Sequence, residues 1–403
     1  MFNNCLHTLF RHRYLILVLL LWGCSSDPGD SPIPIEEDPE EVAVTFSVGH
    51  LTRADFPEDT PLKIYVFRRA IASAPDFSVT PHRIVIGKTS EKNVVLEKLE
   101  NGTVLTDGIL MVRYGYKYDF VAVVNATPTA KDFGTFSFSS GALTGFTHGT
   151  DILAGKVEGA EASGNPTINV EFNKFGAVAG ELPHLCSAVC VEARITEDFF
   201  KEFITKPATA TSFKYAVAGM DFKSCLPRRA SLPFSGDPIA LNVIGSGYTT
   251  SYSVSFSGTE VEVDDKDDKA TSDDGIILPY SVGRIYNTLN LDFRLRVNDG
   301  ETTLEAQNVQ APPFEPGYRY RFIVELDGLS DKINLYLSRE PWSSIAWQSG
   351  MGETDTQNPT IFSLGSWSSV SWQTGMGGSD NNNMFLVSAS GWNSATWASQ
   401  MGD

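Results

Sequence analysis

A chain of 403 residues, 42% apolar and 11% aromatic, can fill two or three packed cores, and this composition excludes global disorder. A net charge of −18 without any basic stretch excludes recognition of a phosphate backbone, and so nucleic acid. Acidity of this kind favours solubility and names no partner.

The chain opens with Arg11 and Arg13, followed by the apolar run from Leu15 to Leu21. That run is too short to cross a bilayer as a helix and reads as a secretory signal. It ends in Leu21-Trp22-Gly23-Cys24, which resembles the lipobox of bacterial lipoproteins. On this reading residues 1–24 are a signal peptide. Cys24 then becomes the acylated (palmitate-type) mature N-terminus, anchored in the outer membrane. An ordinary cleaved signal with a chance cysteine is the plainer alternative. Residues 25–41 carry Pro28, Pro32, Pro34 and Pro39 among seven carboxylates, and read as an extended, self-repelling tether.

Alternation then begins. Val42, Val44, Phe46 and Val48 share one face of a half-buried strand, and Leu62, Ile64 and Val66 share another. Between them runs Gly49-His-Leu-Thr-Arg53-Ala54-Asp-Phe-Pro57, a Gly- and Pro-bounded loop. Further strands are expected at Arg83–Ile86, Asn93–Leu96, Ile109–Arg113, Tyr116–Val124, Ile168–Phe172 and Leu185–Ile195. One helix is expected, Thr196–Ile204, with Thr196 as its cap. Leu289 to Val297 alternates up to the turn Asn298-Asp299-Gly300, and Tyr318 to Leu326 alternates again as its hairpin-like partner. Strands this numerous, with turns every ten residues or so, predict an all-β chain of β-sandwiches. One is expected across residues 42–166 and a second across 167–341.

Chemistry is sparse. His7 and His12 fall in the signal, and His50, His82, His148 and His184 stand in no catalytic or metal motif. Cys186 and Cys190 lie four apart in one expected strand, about 13 Å, too far to bond each other. Either could pair with Cys225 in an oxidising compartment, leaving one thiol free. Three ligands along one strand (His184, Cys186, Cys190) diverge too far for a tetrahedral metal site. The acidic loop Asp264–Asp274 lacks the spacing of a calcium loop. No enzyme, no cofactor and no metal are expected.

The tail, residues 342–403, repeats itself. Trp342 and Trp347 return as Trp367 and Trp372, then as Trp392 and Trp397, each copy closing on Met-Gly at a 25-residue interval. The first copy follows Ile333-Asn-Leu335-Tyr-Leu337, so the repeat looks like a terminal strand duplicated twice more. Three readings stand for it: a small β module packed on its own tryptophans, a set of alternative donor strands, or a surface stacking on glycan rings.

Six segments stand out together: Tyr116-Lys-Tyr-Asp-Phe120-Val-Ala-Val-Val-Asn125, Asp151-Ile-Leu-Ala154, His184-Leu-Cys-Ser-Ala-Val189, Leu278-Pro279, Phe314-Glu-Pro-Gly317-Tyr-Arg-Tyr320 and Trp342. In their order and spacing they resemble the fimbrillin-like lipoproteins of Bacteroidota, the major and minor subunits of protease-assembled pili. The resemblance implies two transthyretin-like β-sandwich domains, lipoprotein export, and cleavage after a basic residue beyond the first strand. The vacated groove is then filled by the C-terminal segment of another subunit, by strand addition. Arg53, with Ala54 following, is the bond that fits, against the plain reading of an exposed loop arginine; Arg68 and Arg69 end a strand. The implied role is a fimbrial subunit, accessory or tip, at the cell surface, with other subunits and the outer membrane as partners. The alternative is a non-polymerising lipoprotein, an anchor or one binding host or microbial glycan or protein through the tryptophan repeats. A subunit of this kind ends near the first of these tryptophans; this chain continues.

Overall fold

The computed structural model describes residues 41–47, 59–90, 93–161, 167–172, 182–205, 212–243, 250–280, 287–298, 300–326, 332–341, 359–363 and 384–390. Apart from a short 3-10 turn and one short helix, every element among them is a strand. That helix starts where expected: Thr196 Oγ1 accepts from Phe199 N, and Phe199 is buried against Phe213.

The first half of the chain supplies β1 (Glu41–Ser47), β2 (Pro61–Arg69), β3 (Arg83–Ser90), β4 (Asn93–Leu99), β5 (Leu110–Arg113) and β6 (Lys117–Asn125). It continues with β7 (Ser137–Ser139), β8 (Ala142–Phe146), β9 (Ile152–Glu161) and β10 (Thr167–Glu171). One sheet runs β10-β1-β4-β3-β2-β6-β9, with β5 also paired to β1. The sheet curls over its own core. Phe46 on β1 meets Phe120 on β6 at 5.3 Å between ring centroids, although three strands separate them along the ladder. Ile168 and Val170 on β10 belong to this core, together with Val42 and Val44. The segment expected to open the second half therefore closes the first, with Ile168 and Val170 buried in the core that β1 helps to fill.

The second half supplies β11 (Ser187–Ile195), β12 (Lys214–Leu226), β13 (Ala230–Pro233), β14 (Asn242–Val243), β15 (Thr250–Ser255), β16 (Val261–Glu262) and β17 (Lys269–Thr271). Then come β18 (Gly275–Ile277), β19 (Asn287–Val297), β20 (Gly300–Ala311), β21 (Tyr318–Leu326), β22 (Lys332–Pro341), β23 (Pro359–Ser363) and β24 (Met384–Ser390). One sheet runs β17-β11-β21-β22-β24-β23 with β18 also on β11; the other runs β15-β12-β19-β20 with β16 on β12. Their inner faces share one core, in which Phe293 on β19 packs against Phe322 on β21. The turn at Asn298 (φ 44) closes as expected, but it joins β19 to β20, through ten register pairs from Asn287↔Ala311 to Val297↔Gly300. The Tyr318–Leu326 strand is not that hairpin's partner. It runs parallel to β11 in the opposite sheet. Cys186, Cys190 and Cys225 are all free and buried, so no disulfide forms among them.

The two halves are sewn together. A four-stranded sheet, β14-β13-β8-β7, mixes strands from both, with β8 against β13 from Phe146↔Ala230 to Ala142↔Pro233. Behind it lies a third core, where Tyr65, Phe67, Val121 and Val123 from the outer face of the first sheet meet Leu232, Phe234, Ala188 and Leu278. Polar contacts lace the same seam. Lys156 Nζ donates to Gly236 O (3.0 Å), Leu185 N to Ile152 O (2.8 Å) and Gly149 N to Ile276 O (2.8 Å).

His148 is a bracket in this seam. Its Nδ1 accepts from Leu278 N (3.1 Å) and its Nε2 lies 2.6 Å from Pro227 O, which together fix a neutral ring protonated on Nε2. Burial holds its pKa below the ordinary imidazole value, only partly opposed by the Pro227 carbonyl. A depressed folded-state pKa means that the unfolded chain binds the proton more readily. The His148 contribution is therefore complete above the unfolded value of about 6.5 and is lost as pH falls towards the folded one. Urea unfolding at pH 8 and pH 5 is expected to show a smaller acid loss in His148→Gln than in the unsubstituted protein. Equal losses would mean that the bracket does not bear on stability.

Candidate functional site

β1 is the strand on which assembly by strand addition would turn, and it forms because Val42, Val44 and Phe46 alternate with polar residues. It is an internal strand, not a rim strand. On one side it runs parallel to β10, from Ala43↔Thr167 to Ser47↔Glu171, and Thr45 Oγ1 donates to Asn169 Oδ1 at 2.7 Å. Phe172 N adds a bond to Ser47 O at 3.0 Å. On the other side it pairs with β5, and at its end with β4 through Ser47↔Asn93.

All three inward side chains are buried: Val42 at 4% exposure, Val44 at 1% and Phe46 at 7%. Phe46 stacks on Phe172 with ring centroids 5.9 Å apart and meets Phe120 edge-on. At roughly 1.5–3 kcal/mol per buried side chain, these three hold β1 by on the order of 6 kcal/mol before entropy is counted. Without β1 the sheet has a slot between β10 and β5, with backbone donors and acceptors on both walls. Its floor is apolar, Phe120 and Phe172 included. The arrangement can seat an extended segment with apolar residues at alternate positions.

Arg53 and Ala54, Cys24, and all six repeat tryptophans (Trp342, Trp347, Trp367, Trp372, Trp392 and Trp397) lie outside the described residues. The two other basic positions are locked in place. Arg69 makes a two-pronged contact with Asp119, Nε to Oδ2 at 2.8 Å and Nη2 to Oδ1 at 3.2 Å, and the Arg68 guanidinium sits over the Tyr116 ring at 4.7 Å. Both end β2, where they pair with β6 as Arg68↔Tyr118 and Arg69↔Lys117, beyond the last pair with β3 at Val66↔Arg83. Among the described residues no group of three or more His, Cys, Asp or Glu is placed to hold a metal ion. In the acidic loop Asp268 Oδ2 accepts from Asp264 N and Asp265 N, while Asp273 accepts from Ser257 Oγ and Asp274 from Arg319 Nε.

The tail contributes strands that spacing of its tryptophans alone did not place. β24 pairs antiparallel with the outer edge of β22, and β23 pairs parallel with β24 at the rim of that sheet. The signal available in the sequence was the apolar stretch of each repeat ahead of its tryptophans.

No family model and no curated protein matches the chain. Solved structures do. A fimbrial protein from Bacteroides vulgatus is similar at 13% identity and a TM-score of 0.44, over 75% of this chain and 99% of that one. A candidate cell adhesion protein from Bacteroides ovatus is similar at 12% identity and 0.43, over 75% and 98%. The tip fimbrial protein Mfa3 from Porphyromonas gingivalis, with C-terminal truncation, is similar at 11% identity and 0.39, over 75% of this chain and all of that one.

Proposed function

We propose that this protein is a fimbrial subunit, accessory or tip, that assembles at the cell surface by strand addition and serves adhesion rather than catalysis. The observation that carries the reading is β1: a short N-terminal strand, internal to its sheet, holding its place through three alternating core side chains. Its removal leaves a preformed slot rather than a frayed edge, and Arg53-Ala54 follows it in the chain. In this reading the chain folds as two β-sandwiches with a tail module, and the donor is a C-terminal strand of another subunit. Cys24 carries the lipid that brings the precursor to the outer membrane. Arg53 supplies the cleavage site because Arg68 and Arg69 are fixed within a paired strand.

The test is the mature N-terminus of the protein recovered from its native membrane, by intact mass and terminal sequencing. A start at Ala54 is expected in assembled material. An acylated Cys24 with residues 41–47 retained in assembled fibres would overturn the reading.

A further inference from the structure

The tail strands are copies of β22. Leu335-Tyr-Leu-Ser338, Thr360-Ile-Phe-Ser363 and Phe385-Leu-Val-Ser388 each stand four residues ahead of the first tryptophan of a repeat, at the 25-residue spacing. Both pairings among them follow the repeat. β23 on β24 is parallel and in repeat register, with Pro359↔Met384, Thr360↔Phe385, Ile361↔Leu386, Phe362↔Val387 and Ser363↔Ser388, so that every residue faces its own counterpart. β24 on β22 is antiparallel and includes the counterpart pair Tyr336↔Leu386, with Leu335↔Val387 and Leu337↔Phe385 flanking it. The repeat strand is thus complementary to itself in both directions.

The strand on the β22 edge is the third copy, not the second. β24 takes the place next to β22, and β23 sits outside it. Residues 342–383 separate the two paired strands in the chain, and a connection this long gives the intramolecular pairing only a modest effective concentration. A second molecule offers the same strand, with the same register, to the same edge. Exchange of an identical element keeps every backbone bond of the closed form, which makes it a low-cost route to a multimer.

We propose that the tail is a strand-exchange module: β24 of one copy seats on the β22 edge of another copy of this chain. This joint goes beyond the assembly proposed above. It uses a different sheet, needs no cleavage, and persists when β1 is in place.

The polypeptide from Ser25 to Asp403, which keeps β1, separates the two. Light scattering across a wide concentration range is expected to show about twice the single-chain mass at high concentration, because the edge accepts one partner strand per exchange. Leu386→Pro removes a ladder donor from the middle of β24 and is expected to leave the single-chain mass. Ser338 and Met384 are direct partners across the antiparallel pair. Opposed Cα atoms about 4.5–5.5 Å apart suit a disulfide. Mixing Ser338→Cys chains with Met384→Cys chains under oxidation is expected to give a disulfide between the two. The native body cysteines are buried and do not compete. A single-chain mass at every concentration, with disulfide forming only inside a chain that carries both substitutions, would overturn the proposal. Because β1 is retained throughout, neither result depends on cleavage after Arg53.

Discussion

Phe46→Ala is expected to destabilise the protein by about 3–5 kcal/mol, the range for deleting a buried aromatic ring. Phe46 is the largest side chain that β1 inserts, and its ring lies between Phe120 and Phe172, which come from opposite ends of the curled sheet. The vacated space cannot collapse easily, because Phe120 is itself held between Tyr118 and the rest of the core. The control is Thr45→Ala on the same strand. Thr45 faces solvent, and its one side-chain bond goes to exposed Asn169. Its loss is expected to stay within about 0.5 kcal/mol. Urea unfolding of the two variants decides the matter. Equal effects would mean that β1 is laid on the sheet rather than packed into it, and the slot would lose its floor. The same comparison bears on assembly, since a weaker β1 leaves its place sooner and limited proteolysis should remove it faster from Phe46→Ala.

Alternation marks the strands with one buried face, while β6 and β11, buried on both faces, are legible only as continuous apolar runs. Val42, Val44 and Phe46 alternate with Ala43, Thr45 and Ser47, and the strand lies where they say. β9 was not legible: Ile152, Leu153, Ala154, Gly155 and Lys156 are buried in succession, because one face meets the first core and the other meets the seam. Burial on both faces erases alternation. β12 is hidden in the sequence for another reason. A bulge between Val217 and Gly219 shifts its register against β19, so the apolar positions change phase in mid-strand. Gly219 also lies under Arg294, where a Cβ would collide with the guanidinium. β20 is so polar that only its pairing with β19 reveals it.

Partners are less legible than strands. Nothing in Ile168 or Val170 says that they pack beside Val44 rather than in the following half, and nothing near Leu143 names Leu232. The slot around β1 was therefore half visible, as a removable strand without its walls. For the tail, the tryptophans gave the period, but the self-pairing of the repeat appears only when the register is known.

Asp151→Ala is expected to cost about 1–3 kcal/mol, as leaving one partner of a buried hydrogen bond unsatisfied does. The carboxylate is wholly buried, and its Oδ1 lies 2.9 Å from His184 Nδ1. Asp151 stands just before β9 and His184 just before β11, with Leu153↔His184 bridging the two backbones. The pair thus ties one half of the chain to the other at the point where the third core begins. A double-mutant cycle with His184→Ala is expected to return a coupling of about 1–3 kcal/mol, which independent sites would not show. The seam carries a further consequence. Halves that share a core and a mixed sheet should unfold in one cooperative step, and a weakened seam should split that step in two. Hydrogen exchange then locates the damage, because the Leu185 amide, bonded to Ile152 O, is expected to exchange faster in Asp151→Ala while the amides of β19 keep their relative protection. Two transitions already present in the unsubstituted protein would mean that the seam is only a contact, and the loss in Asp151→Ala would then belong to one half alone.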